Sequence, residues 1–107
     1  MTSQEQIDAL LAELWERNRP LLEERLTVLD RAVVEVNAGA LNEATRIEAL
    51  DITHKLAGTL GIFGSQRGTE LAREMEKILG QAEVSALAHL PGLVADLRET
   101  LKSRLSP

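Results

Sequence analysis

The sequence predicts an all-α protein: an antiparallel four-helix bundle with an additional N-terminal helix or helical extension. Three observations carry this. The chain is rich in Ala, Leu, Glu and Arg, all good helix formers. Apolar residues recur at three- and four-residue intervals through most of its length. The alternating Val, Ile, Thr and Tyr runs that mark strands are missing. At 107 residues the chain is read as one domain, residues 1–107. A chain of this size buries roughly two-thirds of its unfolded surface and needs no covalent staple.

Taken in order, Ser3 with Gln6 makes a capping-box pattern that opens a helix with apolar positions Ile7, Leu10, Leu11, Leu14 and Trp15. Pro20 then either kinks this helix or occupies the first turn of the next one. The following segment places Leu21, Leu22, Leu26, Leu29, Val33 and Val36 on one stripe and ends at Asn37 to Gly39. Asn42 is the expected N-cap of a helix running to about Gly61. Its inward face reads Ala49, Ile52, Thr53, Leu56, Leu60 and Phe63, and its outward face Ile47, Asp51, His54, Lys55, Gly58 and Ile62. Ser65 caps the next helix, which buries Leu71, Met75, Ile78 and Leu79 and stops at Gly80. The last helix carries Leu87, Leu90, Leu93, Val94, Leu97, Leu101 and Leu105, with a kink expected at Pro91 and fraying from Ser103 to Pro107. Short connections between such helices make neighbours antiparallel.

The composition removes several function classes. The formal net charge is −5, from 17 acidic and 12 basic residues, which disfavours nucleic acid because duplex binding rests on phosphate neutralisation. Trp15 and Phe63 are the only aromatic residues, too few for a base-stacking platform. With no cysteine there is no disulfide, thiolate metal site or thiol nucleophile. Glu5, Asp8, Glu13 and Glu16 interrupt the N-terminal apolar positions, so no signal peptide is read there. No apolar run reaches a membrane-spanning length. A cytoplasmic location is the expectation.

The chemistry concentrates in Thr53 to Gly64, T-H-K-L-A-G-T-L-G-I-F-G. Gly58 follows His54 by one helical turn on the same face. A glycine inside a helix costs about 1 kcal/mol relative to alanine, so its presence needs a reason. Either another macromolecule approaches the imidazole closely, or the glycine allows close packing of a neighbouring helix. Asp51 and His54 are three apart, but two ligands are too few for a closed metal site, and no metal is expected. His89 has no partner pattern. No catalytic-triad spacing, phosphate-binding loop or kinase nucleotide motif occurs.

The segment H-K-L-A-G-T-L-G-I-F-G resembles the signature of histidine-containing phosphotransfer (HPt) domains, H-x-L-K-G followed by small residues and a further glycine. His54, Leu56, Gly58 and Gly64 match, whereas Ala57 stands where the family usually has lysine. The resemblance implies a four-helix bundle of about this length and a phosphoryl group carried on His54. It also implies a polar residue twenty-two positions later that hydrogen-bonds the other ring nitrogen; here that position is Glu76. Such a carboxylate on Nδ1–H fixes the tautomer and leaves Nε2 as the nucleophile. Arg73, one turn before Glu76, and Lys55 are the candidate cations for the phosphoryl group.

The expected function is therefore relay of a phosphoryl group between His54 and an aspartate of a response-regulator receiver domain in two-component signalling. The partners are that receiver and a sensor histidine kinase. Ile47, Asp51, Gly58 and Ile62 are expected to meet the partner. No cofactor is expected, and the chain reads as a phosphocarrier without a nucleotide site. The alternative is a helical adaptor or dimerisation module in which His54 does no chemistry, including an HPt-like domain that has lost transfer.

Overall fold

The computed structural model describes residues 2–105, and every regular element among them is helical. The elements are α1 (Ser3–Asn37), α2 (Glu43–Ile62), α3 (Gln66–Gln81), the single turn α4 (Val84–Leu87) and α5 (Leu90–Leu105). α2 packs on α1 and α3, and α5 packs on α1 and α3, so the four long helices enclose one core. Leu26 and Leu29 of α1, Leu56 and Leu60 of α2, Leu71, Met75 and Leu79 of α3, and Leu90, Leu97 and Leu101 of α5 are fully buried in it.

α1 departs from the sequence reading in two ways and narrows it in a third. Its cap is Thr2, one residue earlier than expected: the Thr2 hydroxyl accepts from Glu5 N at 3.2 Å and its carbonyl from Gln6 N at 3.1 Å. Pro20 does not open a second helix, one of the two outcomes the sequence allowed; residues on both sides of it belong to one 35-residue helix. A proline there removes one helical hydrogen bond and disfavours the helix by about 3 kcal/mol. Burial of Trp15 before it and of Leu22 and Leu26 after it, all in the same core, offsets that. Finally, Ile7, Leu10 and Leu21 keep the helical period but are 51%, 55% and 42% exposed. A helix of this length spans about 52 Å, close to the 53 Å long axis of the molecule. The shorter helices reach only about 24–30 Å, so the first turns of α1 have no neighbour to bury against. They form the helical extension.

Asn42 caps α2 through its side-chain oxygen, which accepts from Ala44 N at 2.8 Å. The Glu35 carboxylate ties this start to α1 by accepting from Asn42 N at 2.8 Å and from the Thr45 hydroxyl at 3.0 Å. Arg46 donates to the Leu79 carbonyl at 2.8 Å, joining the start of α2 to the end of α3. Its guanidinium also hydrogen-bonds Glu43 and holds that carboxyl below the usual carboxylate range. At its far end α2 turns into α3 through Gly64, whose φ is +75°. Phe63 is half-buried rather than central to the core, with its ring edge-to-face on Trp15 at 5.1 Å between centroids. Arg104 lies over Trp15 and donates to the Phe63 carbonyl at 2.9 Å, clasping α1, α5 and the α2–α3 turn together.

The second half carries two further corrections. α3 runs past Gly80 to Gln81, and its cap is Ala82 in the left-handed region at φ 55°. Leu87 belongs to the separate turn α4, and Pro91 sits at the second position of α5, where a proline sacrifices no helical hydrogen bond. There is no kink to explain. Residues 103–105 are helical, and the remainder of the expected frayed end lies outside the described residues.

Candidate functional site

α2 divides cleanly. Ala49, Ile52, Thr53, Leu56, Ala57 and Leu60 are buried, and the Thr53 hydroxyl is satisfied by donating to the Leu50 carbonyl at 3.0 Å. Ile47, Asp51, His54, Lys55, Gly58 and Ile62 all lie on the exposed side. Because the inward side chains lock the rotation of the helix, the outward ones are held in fixed directions.

His54 Nδ1 lies 2.9 Å from Glu76 Oε2, while the imidazole side chain remains 77% exposed. α3 delivers the carboxylate because it runs antiparallel along α2. Thr69 near its start donates to the Ala57 carbonyl at 3.3 Å, and Gly80 near its end faces Leu50. Glu76 lies between these two points, level with His54. An ionised carboxylate makes this contact a hydrogen bond when Nδ1 carries the proton. That tautomer leaves the lone pair on Nε2, the nitrogen not engaged by Glu76.

Gly58 has no neighbouring helix packed against the position of its missing side chain. A Cβ built there would meet nothing within 4 Å, so the glycine serves no packing within the chain. The space beside the imidazole is open. Ile47 and Ile62 are exposed at 54% and 69%, leaving apolar surface along the same face as His54. Leu50, which the sequence reading did not single out, joins Ile47, Asp51, His54 and Glu76 around a shallow depression. Its membership follows from position four before His54, one turn away on the side toward α3.

The remaining candidates separate. Lys55 is paired with Asp51, 2.8 Å from its Oδ2, and lines a groove between α1 and α2 with Leu21, Glu24, Arg31 and Glu48. Arg73 is exposed on α3 and, among the described residues, makes no hydrogen bond or ion pair. Ala57 is buried. His89 is exposed just before α5. Among the described residues no group of three or more His, Cys, Asp or Glu is placed to hold a metal ion, and no helix is long and apolar enough to cross a membrane.

The four long helices thus form a bundle that presents an exposed histidine, braced by a carboxylate, on its second long helix. The Hpt domain family model matches residues 3–105, nearly the whole length, and the chain belongs to that family. Protein RcaC of Microchaete diplosiphon is 36% identical to it over 89 residues, covering 83% of this chain. The chain spans only 14% of the length of that relative. No solved structure matches it significantly.

Proposed function

We propose that His54 is the phosphoryl carrier, exchanging a phosphoryl group through Nε2 with an aspartate of a receiver domain, in a cytoplasmic relay fed by a sensor histidine kinase. The observation that carries this is the 2.9 Å contact between His54 Nδ1 and Glu76 on an otherwise exposed ring. In the transfer toward His54, the Nε2 lone pair attacks the phosphorus of an aspartyl phosphate. The N–P bond forms as the bond from phosphorus to the aspartyl oxygen breaks, and the aspartate leaves as a carboxylate. The Nδ1 proton stays in place, and the imidazolium charge that develops is balanced by Glu76. The chain's contribution is in-line positioning and electrostatics, which dominate phosphoryl transfer. The divalent ion that assists the acyl phosphate is assigned to the receiver, since the acidic residue nearest His54 on its own helix, Asp51, is paired with Lys55.

Docking falls to Ile47, Asp51, Gly58 and Ile62. Two exposed isoleucines flanking an open glycine provide the small apolar centre that a transient interface requires. The test is labelling. Alone with labelled ATP and Mg²⁺ the chain should remain unlabelled. With a kinase domain or phosphorylated receiver added it should gain a phosphate that is lost in acid and persists in alkali. His54→Gln should abolish the label completely while leaving the circular dichroism spectrum unchanged. Labelling of that variant at the unsubstituted rate removes His54 from the mechanism, and a folded protein that no donor labels leaves the adaptor reading standing.

A further inference from the structure

We propose that Arg73, rather than Lys55, neutralises the phosphoryl group on His54. The inference rests on His54 being the phosphoryl carrier. Three observations bear on it, each independent of the family pattern. The first is direction. Lys55 is the next residue after His54, about 100° further around the helix, and it faces the α1–α2 groove rather than the depression that holds His54. The second is engagement. The Lys55 ammonium is committed to Asp51 at 2.8 Å, whereas Arg73 has no hydrogen-bond or ion-pair partner among the described residues.

The third is register. Thr69, Arg73 and Glu76 are spaced four and three apart, so they form one stripe along α3. Thr69 meets α2 at the Ala57 carbonyl, and Glu76 meets it at His54 Nδ1. Arg73 is bracketed between those contacts, opposite the turn of α2 that links Ala57 to His54. A guanidinium on that stripe reaches the phosphoryl oxygens from the α3 side while Glu76 keeps its hold on Nδ1. Because Ala57 is buried and short, no side chain of α2 competes for that space. An arginine suits the task, since its planar donors pair with two phosphoryl oxygens at once.

The experiment uses the whole chain carrying His89→Asn, so that His54 is the one histidine left, and phosphoramidate as the small-molecule phosphoryl donor. The second ionisation of the phosphoryl group on His54 is followed by ³¹P NMR against pH. A cation beside the group favours its dianion, so Arg73→Gln should raise that pKa by roughly half a unit. It should also slow phosphorylation roughly tenfold. Arg73→Lys should restore part of both effects, and Lys55→Gln should change neither. A shift caused by Lys55→Gln but not by Arg73→Gln, or by neither, overturns the assignment while leaving His54 as the carrier. A folded chain in which His54 takes no phosphoryl group at all overturns the carrier reading and this inference with it.

Discussion

Gly58 and Gly68 lie on adjacent helices and serve opposite ends. Gly68 is buried in the seam between α2 and α3, where an added Cβ would stand 2.6 Å from Ser65 Oγ and 3.0 Å from Leu60 Cδ1. Its backbone N–H also donates to that same Ser65 hydroxyl, the cap of α3, at 3.2 Å. A Cβ added at Gly58 would meet nothing within 4 Å. Both accept the helix penalty of a glycine, but at Gly68 neighbouring side chains crowd the space a Cβ would take, whereas at Gly58 nothing within the described structure does. The contrast separates a glycine set by packing from one set in open space within a single bundle, and the proposed function gives the outer face of α2 a use for that space.

The largest expected effect tests the outer member of the pair. Gly58→Gln should leave the fold intact and raise stability by about 0.5–1 kcal/mol, because the helix interior gains a better former and the side chain enters open space. Transfer from a receiver should fall on the order of 100-fold, the loss expected when the reacting groups are displaced by an ångström or more. Thermal unfolding and the single-turnover transfer rate measure the two sides. A marked drop in melting temperature would break the comparison by putting Gly58 in a packed seam.

Next in size is Glu76→Ala, which acts on the same outer face without filling any space. Removing the carboxylate frees the ring and leaves the Nδ1–H to water, so transfer should slow by about 10- to 100-fold with stability little altered. The pair is informative together: Gly58→Gln should weaken partner docking, whereas Glu76→Ala should leave docking intact and reduce only the rate. An unchanged rate would reduce Glu76 to a surface charge.

Gly68→Val probes the inner member. The β-branched side chain must displace Ser65 and Leu60, and overpacking of this kind costs about 1–3 kcal/mol. Denaturant unfolding should show the loss, while transfer measured well below the new midpoint should be near that of the unsubstituted protein. A variant as stable as its parent would mean that the α2–α3 seam gives more readily than its contacts suggest.

Much of the bundle was legible because helical period and caps are local signals. Asn42 and Ser65 fall where their side chains can accept a backbone N–H, and the inward stripe of α2 follows from three- and four-residue spacing alone. What escaped was set by tertiary context. Pro20 is equally compatible with a kink and with the start of a new helix, and core residues on both sides of it keep the helix continuous. Ile7 and Leu10 carry the period of a buried face, yet no partner helix is long enough to cover them, and Leu21 only lines the groove between α1 and α2. The two meanings of glycine were equally hidden, since the residue is identical and only the neighbours differ. At the site, periodicity placed His54 and Gly58 outward but is silent on what α3 brings alongside. The pairing of His54 with Glu76 was implied by the resemblance, through a spacing of twenty-two.

A third position sharpens the comparison from the opposite direction, with a glycine absent where the backbone favours one. Ala82 ends α3 in the left-handed region at φ 55°, its N–H donating to the Ile78 carbonyl at 3.0 Å. An L-residue with a Cβ is disfavoured there by roughly 1–2 kcal/mol, and glycine is the usual solution at a helix end. Glycine also has more freedom to lose from the unfolded chain, which returns part of that gain. Ala82→Gly should therefore stabilise by only about 0.5 kcal/mol, or roughly 2–4 °C in melting temperature for a domain of this size. Ala82 is exposed, and α3 holds Glu76 more than a turn earlier, so the transfer rate should not move. A stabilised variant with unaltered transfer would show that a backbone glycine can act on the fold alone, as Gly68 does. A change in rate would instead link the end of α3 to the placement of Glu76, and the separation between seam and outer face would no longer hold.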